Sequence, residues 1–284
     1  MRQTPTVLYI AVDDLIPARG RSLPGLDEFT AALDHAGIPA VWLTRRTRLQ
    51  LDEPRRKLGH SHPFIAEGAC GVYLPEGYFH LRPESASSRT GKTTTVRLGR
   101  FTCIPTADPQ PAAAEALETL SEETGVSVVT LRSLSPRELA QNSGLPPREA
   151  ELARQRDFDE LFFFAGASTE DIDRFLTEGQ RRQFQIRQQG ILWSLALGAS
   201  VTRCVRELSK LYDRALRAHP LTIGISTASQ EDGLFSACDR AVLLTGNDGE
   251  DTLVEQSHSG RTKRLSLTAA DTWERLIESV STKN

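Results

Sequence analysis

Two adjacent carboxylates, Asp13 and Asp14, follow an apolar run near the N-terminus of this 284-residue chain. The run, residues 8–12, is typical of a buried parallel strand. Open α/β sheets gather their ligands and reacting groups at the carboxyl ends of such strands. A pair of carboxylates at that edge could supply a nucleophile and a general acid, or it could cap the loop after the strand. Asp13 and Asp14 are therefore candidate catalytic residues, with the loop cap as the alternative.

The elements that would position these carboxylates alternate between strands and helices. After the first strand, the pattern predicts a helix over 26–36, a strand over 40–43 and a mostly helical stretch over 47–58. This order is typical of a doubly wound α/β fold with a parallel sheet.

A second kind of pattern occupies the middle of the chain. Residues 83–95 are rich in Ser, Thr, Arg and Lys, which is typical of a surface segment at a domain boundary. The residues beyond it predict mixed strands and helices, including a helix opened by the capping box Ser135-Pro-Arg-Glu138. The α/β pattern returns near residue 195. We therefore predict a core domain from residues 1–82 and 191–284, with an α+β domain, residues 83–190, inserted as a cap.

Composition limits the classes of partner. The formal net charge of −3 gives no overall attraction to nucleic acid or to anionic membranes. The four cysteines are far apart and match no zinc or redox spacing. The chain has no signal-peptide core and no apolar run near the roughly 20 residues that span a bilayer. We expect a cytoplasmic protein that binds neither nucleic acid nor membrane.

Several motifs carry a family likeness. The segments Ser135-Pro-Arg-Glu-Leu-Ala and Arg156-Asp-Phe-Asp-Glu160 closely resemble the cap of mannosyl-3-phosphoglycerate phosphatases, a family of the haloacid dehalogenase superfamily. The segment 37–48 resembles the second motif of that family, and 63–67 and 74–79 resemble the stretch before its cap. The likeness covers most of residues 6–245. It implies a haloacid dehalogenase-like core with an inserted α+β cap, and phosphate-ester hydrolysis with magnesium.

The first motif departs from the family pattern Asp-x-Asp-Gly-Thr. In that pattern one aspartate attacks phosphorus and the second protonates the leaving alkoxide. If Asp13 is the nucleophile, Leu15 stands at the acid position. If Asp14 is the acid, Val12 stands at the nucleophile position. One half of the catalytic pair is missing in either register.

The second and third motifs supply phosphate-binding candidates by resemblance. Thr44 stands at the Ser/Thr position that holds the phosphoryl group, with Arg45 and Arg46 beside it. In the third motif Val201 replaces the usual lysine, and Arg203 falls where a second basic residue would lie. Thr44, Arg45 and Arg203 are therefore the expected phosphate-binding residues.

The fourth motif and the cap complete the candidate site. The resemblance implies two aspartates in the fourth motif, where this chain has Thr227 and Glu231. A magnesium site would then depend on Asp13 and Glu231, although magnesium prefers several hard anionic oxygen ligands. In the cap, the resemblance makes Arg156, Asp157 and Glu160 substrate-facing residues. The alternative for these three is a salt-bridged turn before a strand.

Two functional hypotheses follow. In the first, the chain is a catalytically weakened or inactive relative that binds a phosphorylated sugar or sugar-glycerate between core and cap, and it could then regulate a protein partner. In the second, it is an active phosphatase that uses magnesium and has Asp13 as its nucleophile. Magnesium is the expected cofactor only in the second case. A scaffold without a ligand is a third class.

Overall fold

The computed structural model describes residues 4–18, 22–79, 94–227, 232–246, 262–267 and 271–281. Within these ranges the strands form one nine-stranded and one four-stranded sheet. The strands are β1 (Thr6–Ala11), β2 (Ala40–Leu43), β3 (Phe64–Ala66), β4 (Gly71–Pro75), β5 (Val96–Leu98), β6 (Phe101–Pro105), β7 (Val128–Thr130), β8 (Glu160–Phe164), β9 (Phe184–Gln189), β10 (Leu192–Leu197), β11 (Leu221–Thr227), β12 (Arg240–Thr245) and β13 (Thr262–Ser266). The α-helices are α1 (Leu26–His35), α2 (Asp52–Lys57), α3 (Gln110–Thr124), α4 (Pro136–Ser143), α5 (Pro147–Ala153), α6 (Thr169–Arg181), α7 (Val201–Leu216), α8 (Asp232–Ala237) and α9 (Thr272–Ser281).

The larger sheet places β1 at its centre. Its order is β13-β12-β11-β1-β2-β3-β4-β6-β5, and β1 pairs in parallel with both β11 and β2. The carboxyl ends of β11, β1 and β2 therefore meet at one edge of the sheet. Beyond β3, the strands β4, β6 and β5 continue the sheet with antiparallel pairing.

Strand β1 is buried on both faces, which explains its unbroken apolar sequence. Leu8 and Ile10 belong to the apolar cluster on the side of α1. Tyr9 and Ala11 belong to the cluster on the opposite side, which includes residues of α7. Because both faces are covered by helices, the parallel sheet is the middle layer of an α/β core.

The smaller sheet belongs to a separate α+β cap. Its order is β7-β8-β10-β9, and its neighbouring strands pair in antiparallel fashion. Helices α3 and α6 pack on it around Leu117, Phe162 and Phe175. The predicted α/β fold with an inserted α+β cap is confirmed.

Strand pairing divides the chain at positions that differ from the expected 83 and 191. Strands β5 and β6 pair with β4 in the core sheet, whereas β10 pairs within the cap sheet. The chain therefore enters the cap after Pro105 and leaves it after Leu197. The polar segment that suggested a boundary at 83 lies, up to residue 93, outside the described residues. Composition indicates where apolar residues become scarce, which is not where strands change sheet.

The capping box at Ser135 forms as predicted. The Glu138 main-chain N–H donates to the Ser135 hydroxyl at 3.3 Å, and the Ser135 N–H donates to the Glu138 carboxylate at 2.8 Å. Across the described ranges, no helix is long and apolar enough to cross a membrane.

Candidate functional site

Asp13 lies just beyond β1 and is bound by the loop that follows β2. Its carboxylate accepts hydrogen bonds from the Thr44 hydroxyl and, at 2.8 Å, from the main-chain N–H of Arg45. It also pairs with the Arg46 guanidinium, whose Nε lies 3.3 Å from Oδ1. Both side chains are mostly buried, with 16% of Asp13 and 9% of Arg46 exposed. The predicted residues Asp13, Thr44 and Arg45 are therefore brought together, and Arg46 joins them.

Local hydrogen bonds shape this loop. The Thr44 N–H donates to the carbonyl of Ile65 at 3.0 Å, which extends the pairing of β2 with β3. The Thr44 hydroxyl oxygen accepts from the Arg46 N–H at 3.1 Å, so the chain turns sharply after β2. This turn directs the N–H of Arg45 toward Asp13.

Asp14 faces the opposite neighbour of β1. Its carboxylate accepts from the hydroxyl of Thr227, the last residue of β11. Leu15 is fully buried in the core cluster on the α1 side, and Val12 is 1% exposed. Whichever register Asp13 and Asp14 take against the first motif, the partner position holds a buried apolar side chain.

A left-handed turn over residues 67–69 is hydrogen-bonded to the loop that follows β2. Glu67, Gly68 and Ala69 all have positive φ, at 53°, 60° and 74°. The N–H groups of Glu67 and Gly68 donate to the carbonyls of Arg46 and Thr44, at 3.1 and 3.0 Å. Non-glycine residues rarely adopt this conformation, and such strain concentrates at functional sites. Here it fixes the backbone of the loop that binds Asp13.

The Glu67 side chain joins this turn to the cap. Its carboxylate accepts from the N–H groups of Asp157, Phe158 and Asp159, at 3.0, 2.9 and 3.3 Å. Burial raises the pKa of Glu67 to about 8, against the opposing effect of nearby Arg156. The segment before β8 is thereby anchored to the core.

The three predicted cap residues occupy different places. Arg156 is buried, lines the cleft described below, pairs with Asp159 and donates to the Arg45 carbonyl at 2.8 Å. Asp157 accepts from Arg48 and from the Tyr73 hydroxyl, both at 2.8 Å. Arg156 therefore supports the Asp13 loop, whereas Asp157 ties the cap to Arg48 and to β4.

Glu160 and Arg203 lie away from Asp13. Glu160 is buried, accepts from Gln110 and lies 3.4 Å from the Nε of Arg132. Arg203 is exposed on the first turn of α7, and its Nη1 donates to the Thr106 carbonyl at 3.4 Å. Neither residue lines the cleft at Asp13. Glu231, the remaining predicted site residue, lies outside the described residues.

A cleft of about 390 Å³ opens between the core and the cap above Asp13. Core residues form its floor and cap residues form its roof. Its lining residues are Asp13, Ala18, Arg45, Arg46, Gln50, Ser143, Leu145, Ala153, Arg156, Leu161, Gln189, Gly190, Ile191 and Leu192. The Nη2 of Arg46 is buried and has no hydrogen-bond partner among the described residues. An unpaired buried donor of this kind is suited to an anionic oxygen of a ligand.

A larger cavity of about 670 Å³ lies beside α2, away from Asp13. Several charged residues in its lining already pair: Arg100 lies 2.8 Å from Asp52, and Glu53 lies 2.8 Å from Lys57. The buried Arg55 donates to His60 at 3.1 Å. The cleft at Asp13 is therefore the better candidate for the functional site.

The described residues do not fit a magnesium ion at Asp13. Both carboxylate oxygens already accept hydrogen bonds, and the Arg46 guanidinium supplies the positive charge beside them. Thr227, at a position where the resemblance implies a carboxylate, donates to Asp14. In the described ranges, no three His, Cys, Asp or Glu side chains cluster to hold a metal ion.

Comparison with solved structures shows the class of fold. A phosphatase of the haloalkanoate (HAD) enzyme superfamily from Bacteroides thetaiotaomicron matches 97% of this chain and 95% of its own, with a TM-score of 0.61 and 15% identity. A HAD subclass IIB sugar phosphatase matches 96% and 98%, with a TM-score of 0.60 and 13% identity. The chain therefore has a haloacid dehalogenase-like fold.

Comparison of sequences supports the more particular resemblance. A glucosyl-3-phosphoglycerate/mannosyl-3-phosphoglycerate phosphatase from Persephonella marina is 24% identical over 73% of this chain and 72% of its own length. A protein of the same name from Methanococcoides burtonii is 23% identical over 80% and 78%. No protein-family model matches the chain. The predicted similarity to mannosyl-3-phosphoglycerate phosphatases is confirmed, at low identity.

Sequence reasoning did not single out two parts of the site. Arg46 was visible only as a second arginine beside Thr44, and its pairing with Asp13 depends on the turn after β2. Ile191 and Gln189 reach the cleft from the hairpin between β9 and β10. The alternation of apolar and polar residues in β9 covers only residues 184–187 and is too short to have singled out a strand there.

Proposed function

We propose that this chain binds a phosphorylated small molecule in the cleft between core and cap, and that ordinary magnesium-dependent phosphatase activity is weakened or lost. The names of its relatives make phosphorylated sugars and sugar-glycerates the first ligands to test.

The Arg46 side chain is the observation that carries the proposal. It is held in place by Asp13, and its buried Nη2 has no hydrogen-bond acceptor among the residues that the structure describes. A buried donor without a partner costs about 1–3 kcal/mol, which a phosphoryl oxygen would recover on binding. Arg45 lines the same cleft and adds a second positive charge.

The first motif supports loss of hydrolysis. Cleavage of a phosphate ester needs a nucleophile for phosphorus and an acid for the leaving alkoxide. With Asp13 as nucleophile, the acid position holds Leu15, which is fully buried and has no proton to give. Arg46 cannot replace it, because a guanidinium is not deprotonated in proteins.

The second candidate is an active phosphatase, and the partial exposure of Asp13 in the cleft favours it. Asp13 would form a bond to phosphorus as the ester oxygen leaves as an alkoxide, which takes a proton from water. A second water would then hydrolyse the phospho-aspartate and release phosphate.

Binding is tested first by calorimetry with mannose 6-phosphate and glycerol 3-phosphate. Arg46→Gln should weaken binding at least about tenfold, because a hydrogen bond to a charged group contributes about 1.5–3 kcal/mol. Arg206→Gln removes an exposed arginine on α7, outside the cleft lining, and should leave binding unchanged. Equal affinities in all three proteins would contradict a ligand site at Arg46.

Turnover is tested with the same esters in the presence of magnesium. We expect no release of phosphate above the background of an Asp13→Asn variant. Magnesium-dependent turnover that Asp13→Asn abolishes, and Asp14→Asn does not, would establish the second candidate instead.

A further inference from the structure

The larger cavity beside α2, here called the α2 cavity, also lies between the core and the cap. Its volume of about 670 Å³ is within the range of about 300–1,000 Å³ usual for small-molecule sites. Among the described residues, four arginines line it: Arg55, Arg56, Arg100 and Arg148. The first three belong to the core, whereas Arg148 lies on the first turn of α5 in the cap.

Three carboxylates of the described chain also line the α2 cavity, and each has a cationic partner. The pairs are Asp52 with Arg100 at 2.8 Å, Glu53 with Lys57 at 2.8 Å and Glu76 with Arg97 at 3.5 Å. Lys57 and Arg97 do not belong to the lining, so two of the carboxylates are neutralised from outside the cavity. The arginines of the lining therefore outnumber the carboxylates that could neutralise them.

Arg55 is the buried cation of the α2 cavity, with 6% of the residue exposed. Its Nε donates to His60 and its Nη2 donates to the carbonyl of His62, both at 3.1 Å. The guanidinium groups of Arg55 and Arg100 each lie 5.2 Å from the centre of the Phe101 ring. Burial, and then repulsion by Arg100, lower the pKa of Arg55 to about 10, with one nearby carboxylate opposing the shift. An anion in the cavity would relieve the repulsion between these two positive charges.

Arg56 and Arg148 approach the cavity from different domains. Arg56 lies on α2 of the core and Arg148 on α5 of the cap, and both are exposed. Lys57, and after it Arg148 and Arg56, hold the pKa of Glu53 below its usual value. The two arginines therefore lie near one carboxylate that Lys57 already pairs. An anion between them would be attracted by the core and by the cap at the same time.

We propose that the α2 cavity binds a small molecule with two phosphate groups, such as a sugar bisphosphate, that links α2 of the core to α5 of the cap. Two phosphates suit the cavity because its arginines come from three separate segments: α2, the turn between β5 and β6, and α5. Arginine binds phosphate through paired N–H donors. The described linings of this cavity and of the cleft at Asp13 share no residue, so the inference is independent of the proposed function.

Fructose 1,6-bisphosphate and fructose 6-phosphate differ by one phosphate group and provide the test. Both are titrated by calorimetry into Arg46→Gln, in which the cleft at Asp13 has lost its buried phosphate donor. We expect the bisphosphate to bind at least about fivefold more tightly, because its second phosphate adds charge-assisted contacts with arginine.

Further variants, each added to Arg46→Gln, locate the site. Arg56→Gln and Arg148→Gln should each weaken the bisphosphate about two- to fivefold, because each removes one exposed ion pair with the ligand. Arg206→Gln removes the same charge from α7, outside the lining of the cavity, and should change the affinity little. All three arginines are exposed, so their replacement should leave the fold intact.

Four results would overturn the inference. The bisphosphate could fail to bind, or it could bind no more tightly than fructose 6-phosphate. Arg206→Gln could weaken it as much as Arg148→Gln does, which would mean that binding follows only the net charge of the protein. Arg56→Gln could weaken it while Arg148→Gln does not, which would mean that the ligand does not reach the cap. None of these results bears on the proposed function, which is tested with mannose 6-phosphate in the wild type.

Discussion

Replacement of Asp13 by asparagine tests the ion pair on which the site depends. The Arg46 Nε lies 3.3 Å from the Asp13 carboxylate, and a unit-charge pair at that distance interacts by about 5 kcal/mol at an effective dielectric constant of 20. Removal of one partner of a fully buried pair costs about 3–5 kcal/mol. Asp13 is 16% exposed, and asparagine keeps a carbonyl oxygen for the Arg45 N–H. We therefore expect Asp13→Asn to lower the free energy of unfolding by about 2–3 kcal/mol.

The same substitution should strengthen anion binding. In the wild type, the Asp13 carboxylate accepts hydrogen bonds from the Thr44 hydroxyl and the Arg45 N–H, so these bonds compete with a phosphate. The negative charge of the carboxylate also repels an incoming phosphate. Its neutral replacement removes that repulsion and leaves Arg46 without its counter-ion. Phosphate should then bind the variant more tightly, and a ligand at 100 times its Kd adds about 2.7 kcal/mol of stability.

Urea unfolding with and without inorganic phosphate measures both effects. Asp14→Asn is the control, because Asp14 is exposed and its carboxylate accepts from the Thr227 hydroxyl, away from Arg46. It should change stability by less than about 1 kcal/mol. The reasoning is refuted if Asp13→Asn unfolds at the wild-type urea concentration and phosphate stabilises it no more than the wild type. The ion pair would then neither stabilise the fold nor limit anion binding.

Three other predictions concern the framework. Burial lowers the pKa of His60 well below its usual value, with Arg55 adding to the effect. As the pH falls below about 6.5, the unfolded chain takes up a proton that the folded chain does not, so stability should fall by up to about 1.4 kcal/mol per pH unit. Urea unfolding between pH 5 and 7 should show that the free energy of unfolding depends less steeply on pH in His60→Gln than in the wild type. An equal dependence in both proteins would contradict this prediction. Gly71→Ala would place a Cβ 2.7 Å from the Phe158 ring and should cost about 1–3 kcal/mol in urea unfolding, whereas Gly233→Ala, with its nearest contact at 3.6 Å, should cost nothing. Ser135→Ala removes the cap of α4 and should lower the melting temperature through a loss of about 1 kcal/mol, in contrast to Ser135→Asp.

The sequence predicted the fold because the relevant signals are local. The apolar run of β1, the helix over 26–36 and the capping box at Ser135 each depend on residues close together in the chain. The cap boundaries depend instead on which strand pairs with which. Strand β6 joins the core sheet through β4, and no composition change marks that pairing.

The candidate site was likewise predictable only in part. The positions of Asp13 and Thr44 at neighbouring strand ends could be predicted, because parallel strands bring their carboxyl ends to one edge. The direction in which each side chain points could not be predicted. Arg156 and Asp157 are adjacent in the chain, yet Arg156 donates to the Arg45 carbonyl of the Asp13 loop and Asp157 pairs with Arg48. Side-chain partners from distant elements decide between such neighbours.

The residues that hold the cap to the core are not those that hydrolysis would require. Glu67 receives three cap N–H groups, and Arg156 joins Asp159 to the Arg45 carbonyl. None of these contacts uses an acid at position 15 or a carboxylate at position 227. Loss of catalytic groups at those positions would, on the proposed function, leave the anchoring network intact, and with it a cleft in which Arg46 is already fixed. On the proposed function, a binding protein could retain this fold and cap without the stability cost that a change to the anchoring residues would bring.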